Sequence, residues 1–499
     1  MRSSCNGKTI RRTADVGGLM PITVLGGTKV ADTAFSVANS CRFNKADDPE
    51  LSRSTGDGNE DIGSFSFWWK PAKTDSGCIF YSVYVDSNNF FDISCDGSMN
   101  LQVRNKLSGS YNMDIKTNRV FRDPLAWYSI IVLIDTTQST EANRVKIYIN
   151  GTQETSLATS SYPSQNTDMI MNSDSRTARI SSSQDRMHGY LAEFVLIDGT
   201  AKVVGDFGEF DEDTPTTWKP KDVSGLSGDK GTNGFYLDFE DSSNLGNCAF
   251  DGTDFTESNL AATDQMTDSP TNNFCTLNPL VNSEVEAGGA DGVLSEGNLK
   301  LYNASGVGKS GTIFVNTGKW YFENKIGGET DAKYTLVGIV SESVVASGDL
   351  SDMTTAGGFT DFGGDDLAYA YYGNDGKLLD NDSADSYGDT YGANDIISVA
   401  LDLDNNKLYF AKNGTWQNSG DPTSGGTGTG AKSITNTYYT PLIFSFSGSS
   451  TNAQLNFGGG CNWAVSSANS DANDGGTTFE YSVPSGYYAL CTKNLAEFG

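Results

Sequence analysis

Apolar and polar positions alternate with period two along much of this chain. In IISVALDLDNNKLYFAKNGTW (396–416), Ile397, Val399, Leu401 and Leu403 fall on one face. Ser398, Ala400, Asp402 and Asp404 fall on the other, the pattern of a half-buried strand. Asp404-Asn405-Asn406 tolerates left-handed backbone and bonds its own main chain, so a turn is expected there. Leu408 and Phe410 restart the alternation, and Asn413-Gly414 marks a second tight turn. The stretch predicts an antiparallel hairpin. The same order recurs in WYSIIVLIDTTQSTEANRVKIYINGT (127–152): apolar strand, Asp, polar turn, second strand, Asn-Gly. Two related β modules are the expectation.

Strand patterns come in quick succession between residues 31 and 205, at SFSFWWKP (64–71), CIFYSVYV (78–85), NFFDIS (89–94), LQVR (101–104) and GYLAEFVLID (189–198). They return between 286 and 499, at GTIFVNTGKWYFENKI (311–326), YTLVGIV (334–340), DLAYAYYG (366–373), YTPLIFSFSG (439–448), AQLNFGG (453–459) and GYYALCT (486–492). Residues 206–285 carry one convincing strand, Phe235–Phe239, amid turn chemistry, and read as an extended, strand-poor connector held by Trp218, Phe235, Phe239 and Phe274. Residues 1–30 read as an arm or anchor, and the Gly/Ser/Thr stretch 418–432 as a long mobile loop. Long stretches of helical periodicity are nearly absent. At 499 residues with 56 glycines and 11% aromatics, the chain is too long for one core and too aromatic for disorder. The fold class expected is all-β: two antiparallel β-sandwich domains joined by the connector.

Charge narrows the function. The net charge of −29, from 34 basic and 63 acidic residues, disfavours nucleic acid and anionic membrane surfaces, which need a basic face. No run of eighteen apolar residues exists, so membrane insertion is not expected, and the first residues lack the apolar core of a secretion signal. The eight cysteines (5, 41, 78, 95, 248, 275, 461 and 491) have no metal-type spacing and read as buried free thiols.

Catalytic candidates are weak. Glu209 and Asp211 have the i, i+2 spacing of a carboxylate pair, but Thr214 and Pro215 break the pattern, so the segment reads as a solvated acidic turn. His188, the single histidine, has no nucleophile motif to serve and reads as a strand-edge residue. No catalytic residue and no metal site is assigned. Calcium is the one ion left open, through the oxygen-rich stretches 402–406 and 380–389, where turn chemistry is the preferred explanation. For binding, exposed aromatics beside amides and acids suit a sugar, whose C–H face stacks on a ring. Tyr371, Tyr372, Asn374 and Asp375 at a strand end, with Trp416 after the Asn-Gly turn, are the candidate ligand-binding residues.

The ordered set GKWYFENKI, LVGIV, AYYGNDGK, GANDIISVALDLDNNKLYFAKNG, TPLIFSFSG, LNFGG and VPSGYYAL resembles the motif series of SPRY domains. The earlier set SFSFWWKP, WYSIIVLID, VKIYING and HGYLAEFVLIDG resembles a laminin-G-like, concanavalin-type jelly roll. The join is similar to the connector of fibre-like structural proteins of marine tailed bacteriophages. What that resemblance implies is a virion structural or adhesion protein: a tail fibre, receptor-binding protein or capsid-attached fibre. Its expected partners are other virion proteins, further copies of itself (a trimer by likeness to other fibres) and a host-surface glycan or protein. The alternatives are a polysaccharide-degrading glycoside hydrolase and an architectural capsid decoration protein.

Overall fold

A computed structural model describes residues 35–281, 292–303, 308–329, 331–347, 367–380, 383–445, 451–473 and 476–499. The expected arm, residues 1–30, lies outside them, as do residues 381–382 of one candidate calcium stretch. The chain is all-β, its sheets antiparallel apart from one short parallel contact, with two short α-helices and several 3-10 turns among the described residues.

The strands of the first sandwich run β1 (Ser40–Phe43), β2 (Glu50–Ser54), β3 (Ile62–Pro71), β4 (Cys78–Asp86), β5 (Asn89–Cys95) and β6 (Asn100–Leu107). They continue with β7 (Ser110–Val120), β8 (Tyr128–Asp135), β9 (Val145–Ile149), β10 (Thr152–Gln153), β11 (Leu157–Ser161), β12 (Thr177–Ile180) and β13 (Gly189–Asp198). The connector adds β14 (Gly208–Phe210), β15 (Trp218–Pro220), β16 (Phe235–Leu237), β17 (Thr256–Ser258) and β18 (Gln265–Met266). One eight-stranded sheet, the inner sheet, has the order β10-β9-β8-β3-β13-β1-β18, with β16 also on β13. The outer sheet has the order β11-β7-β6-β5-β4-β12-β2-β17. The connector is thus woven into both sheets through β16, β17 and β18.

Alternation places the side chains of β3: Phe65, Phe67 and Trp69 enter the core between the sheets, while Trp68 faces the other way into a second apolar cluster. In β13, Leu191, Phe194 and Leu196 face the first core, although Leu191 and Phe194 are three apart. A β-bulge between Ala192 and Val195 supplies the extra residue, and Glu193 there takes a left-handed φ of 53°.

The second sandwich comprises β19 (Val293–Ser295), β20 (Lys300–Asn303), β21 (Gly308–Ser310), β22 (Lys319–Ile326), β23 (Thr335–Ser341) and helix α1 (Glu342–Ser347). Next come β24 (Ala368–Tyr372), β25 (Lys377–Asp380), β26 (Ser383–Ser386), β27 (Ile396–Asp402), β28 (Lys407–Lys412) and β29 (Thr415–Trp416). It ends with β30 (Lys432–Ser433), β31 (Tyr439–Ser445), β32 (Thr451–Asn456), β33 (Tyr488–Ala489) and helix α2 (Thr492–Phe498). A nine-stranded sheet centred on β22 and β27 packs against a six-stranded sheet, β21-β31-β23-β24-β25-β26.

Both predicted hairpins form. β27 pairs with β28, and β8 with β9. After each hairpin the second strand turns back through Asn-Gly into a two-residue strand, β9 into β10 and β28 into β29, with both turn residues at positive φ: 49° and 74° at Asn150-Gly151, 49° and 77° at Asn413-Gly414, as a two-residue turn of this type requires. The asparagines make the same clamp. Asn150 Oδ1 accepts from Ser129 N at 2.8 Å and Asn413 Oδ1 from Ile396 N at 2.8 Å. One expectation is corrected: β27 is buried on both faces rather than half-buried. Its Ala400 side joins Phe274, Tyr321, Phe479, Tyr487 and Ala489 in a cluster of its own, because the chain's last segment returns to cover that face.

The sandwiches meet across a joint of buried polar contacts. Lys70 Nζ lies 2.6 Å from Asp268, their side chains 1% and 5% exposed, and Trp127 Nε1 donates to the same carboxylate at 3.1 Å. Tyr190 OH donates to Gly297 O at 2.7 Å and Asn298 Nδ2 to Ala72 O at 2.9 Å. The outer side of the inner sheet, including Trp68, Ile131, Tyr190 and Val195, shares one apolar cluster with the core of the second sandwich.

Candidate functional site

The sequence-predicted group does not form one binding face. Tyr371 and Tyr372 are 0% and 5% exposed, so neither ring offers itself to a ligand. Alternation alone turned one of them inward; the structure covers both sides of β24. Tyr371 packs toward Tyr387, Tyr391 and Phe410, and its hydroxyl donates to Asp389 O. Tyr372 lies in a separate cluster with Phe314, Val344 and Val345, capped by α1. Asn374 and Asp375 are exposed at the β24–β25 turn, and Trp416 is half-buried beside Tyr409. The link between these loops is Gln417, whose Oε1 accepts from Asp389 N at 2.8 Å. Loop 418–432 is packed through buried Pro422, whose carbonyl accepts from Tyr487 OH at 3.0 Å.

The carboxylates weighed for catalysis are committed elsewhere. Asp211 is 4% exposed rather than solvated. Its Oδ1 accepts from Asp213 N, Thr214 N and Thr214 Oγ1, and those bonds hold its carboxyl below the ordinary aspartate range. Lys219 lies 3.4 Å from Asp211 and 3.7 Å from Glu209. Asp402 in the 402–406 turn is fully buried, accepts from Asn405 N and Nδ2, and pairs with Lys319 at 3.0 Å. Burial drives the His188 imidazole down to about 4. No group of three His, Cys, Asp or Glu with metal-holding geometry occurs among the described residues.

A different cluster stands out on the outer sheet. Tyr84 at the end of β4 stacks on Phe90 of β5 with centroids 6.1 Å apart, and Phe90 meets Tyr111 of β7 edge-on at 6.1 Å. Lys106 Nζ of β6 sits 5.2 Å from the Tyr111 ring centre and 5.9 Å from that of Phe90. Arg104 lies 5.5 Å from the Phe90 ring and forks onto Asp92 with bonds of 3.0 and 2.7 Å. Burial pushes the Asp92 carboxyl up, against the pull of Arg104. Gln102 and Asp114 continue the polar row at 3.4 Å. Tyr111 is 46% exposed, and Val85 and Leu107 beside it are 39% and 42% exposed.

Local sequence builds this patch. Asp86 in the β4–β5 turn accepts from Asn88 N at 2.7 Å, the Asx turn that Asp favours. Asn89 Oδ1 then accepts from Ser108 N, and Lys106 Nζ donates to Ser87 O, each at 2.9 Å. The two hairpin ends are fastened together, which brings side chains from four strands onto one surface. Sequence reading missed β7 because SYNMDIKTNRV alternates Met113, Ile115 and Thr117 with polar residues too weakly to register. The inner sheet has no comparable surface, since the connector and second sandwich cover it.

Comparison with known proteins fits this architecture. Residues 47–201 match the family model of the concanavalin A-like lectin/glucanases superfamily, and residues 319–459 match that of the SPRY domain. No curated protein matches the chain. Among solved structures, the SPRY domain of human HERC1 is similar at 16% identity, over 36% of this chain and 96% of that one, with a TM-score of 0.24. A heptameric SAP-like pentraxin from Limulus polyphemus is similar at 15% identity, over 34% of this chain and 81% of that one, with a TM-score of 0.26. Domain 4 of a GH43 extracellular arabinanase from Geobacillus stearothermophilus is similar at 15% identity, over 36% and 83%, with a TM-score of 0.27. Likenesses this distant say nothing about a ligand. The chain carries a domain of the concanavalin A-like lectin/glucanases superfamily followed by a SPRY domain, a pairing that points to carbohydrate or protein binding.

Proposed function

We propose that this is a non-catalytic recognition protein whose first sandwich holds a glycan on the Tyr84–Phe90–Tyr111 patch. The observation that supports it most is the juxtaposition of the half-buried Tyr84 and exposed Tyr111 rings, on either side of the buried Phe90, with Arg104, Lys106, Gln102 and Asp114. Rings stack against the C–H face of a sugar, and the charged and amide groups bond its hydroxyls.

In this reading the chain belongs to a virion, as a tail or capsid fibre displaying its domains to a host surface. Other virion proteins and further copies of the chain, a trimer by the resemblance, are its structural partners. Display in many copies multiplies a weak single-site affinity through effective concentration.

Titration calorimetry of the full chain against a panel of neutral and acidic oligosaccharides tests the glycan reading. Tyr84→Ala and Tyr111→Ala together should weaken the best ligand about tenfold or more, the scale of one lost stacking contact. Full affinity in that double variant would refute the assignment of the patch. Antibody labelling of particles, with soluble protein competing for adsorption, tests the virion setting; no labelling would reject it.

A further inference from the structure

A second recessed surface lies at the open side of the first sandwich, where the edge strands of its two sheets diverge. β9 and β10 bound it on one side, β7 and β11 on the other, and the link Glu154–Ser156 crosses between them. The cleft measures about 200 Å³. Its floor is apolar: Ile115, Val145 and Ile147 are 1%, 3% and 2% exposed. Gln153, Thr155 and Tyr162 form its polar wall. Glu154 and Lys146 also line it; Glu154 is committed, with Arg119 at 2.7 Å and Ser156 N at 3.1 Å, while the half-buried Lys146 adds a cation to the wall.

We propose that this cleft is a second carbohydrate subsite that takes the terminal residue of a glycan. The proposal rests on the glycan reading of this sandwich and adds a pocket to its open patch. Size selects the ligand. At 200 Å³ the cleft falls below the roughly 300–1,000 Å³ of sites for larger ligands. At about 30 Å³ per water it holds the equivalent of six or seven water molecules, room for one sugar ring. Chemistry selects it further. A sugar end is amphipathic, with one C–H face for the floor and hydroxyls for a rim of amide, hydroxyl and phenol. With Glu154 neutralised by Arg119, the charge left on the lining is that of Lys146, which disfavours a cationic ligand and can donate to the oxygens of a sugar.

The test uses the full chain and protein-observed NMR titration with free glucose, galactose, mannose, N-acetylglucosamine, xylose and arabinose. At least one should saturate at millimolar concentration, with shifts centred on Gln153, Thr155 and Tyr162. Tyr162→Ala should raise its Kd about tenfold. Thr155→Arg, at an exposed position that should not disturb folding, should block the cleft and abolish the shifts. Monosaccharide affinity unchanged in Thr155→Arg would overturn the cleft subsite. So would binding of oligosaccharides alone with sensitivity only to Tyr84 and Tyr111, and that result would preserve the patch. Absence of any sugar binding would overturn both.

Discussion

Glu193 offers a quantitative test of the fold. Its side chain is 6% exposed on the outer side of the inner sheet, and its Oε2 accepts from Tyr236 OH at 2.7 Å. Burial, followed by the negative potential of Asp238, Glu240 and Asp222, pushes its carboxyl up from 4.5 to about 8, although the Tyr236 bond pulls the other way. A carboxyl with a raised folded-state pKa stabilises the protein below its unfolded value and loses that contribution as pH climbs through the folded value. The relevant window is therefore pH 4.5 to about 8. At about 1.4 kcal/mol per pH unit, the ceiling is about 5 kcal/mol, and relaxation around the charge lowers the expected loss to about 2–4 kcal/mol. Glu193→Gln keeps the shape and the acceptor for Tyr236 but cannot ionise. Its extra N–H lacks a partner, which costs about 1 kcal/mol at low pH. Unfolding free energies from urea titrations at half-unit steps from pH 4 to 9.5 should cross near pH 5. The parent should be more stable at pH 4 and the variant at pH 9. Glu323, buried and pushed up to about 7, contributes the same background slope to both. Parallel curves would refute the claim that Glu193 is buried in protonated form.

Further outcomes follow from the same physics. His188, driven down to about 4 by burial, contributes stability above pH 6.5 that is lost as pH falls toward 4, up to about 3 kcal/mol; His188→Gln should flatten that limb in acid titrations. Lys70→Met should cost about 3–5 kcal/mol by stranding Asp268, and adding Asp268→Leu should recover part of it, both read from thermal unfolding. Gly151→Ala forces a side chain onto a φ of 74° and sets a Cβ 2.1 Å from Trp218, so about 2 kcal/mol or more should be lost in denaturant melts. The seven described cysteines are free and buried. A thiol reagent should therefore label at most Cys5 rapidly in the folded protein and all eight in guanidinium.

Local chemistry alone determined much of this protein. Alternating side chains marked β3, β5, β13 and the two long hairpins, because a pleated strand sends successive residues to opposite faces whatever its neighbours do. Asn150-Gly151 and Asn413-Gly414 made the turns that follow those hairpins, because such residues tolerate two successive positive φ values. What covers a face is a different matter, decided between segments far apart in the chain. Tyr372 is buried because α1 and Phe314 lie over it, and Ala400 because the last twenty residues fold back. The outer face of the inner sheet, with Trp68, Tyr190 and Val195, is closed by packing against the connector and the second sandwich. The patch at Tyr84, Phe90 and Tyr111 arises only when two hairpin ends are tied side by side. Alternation says that a side chain leaves the strand; which surface receives it depends on contacts that no local pattern records.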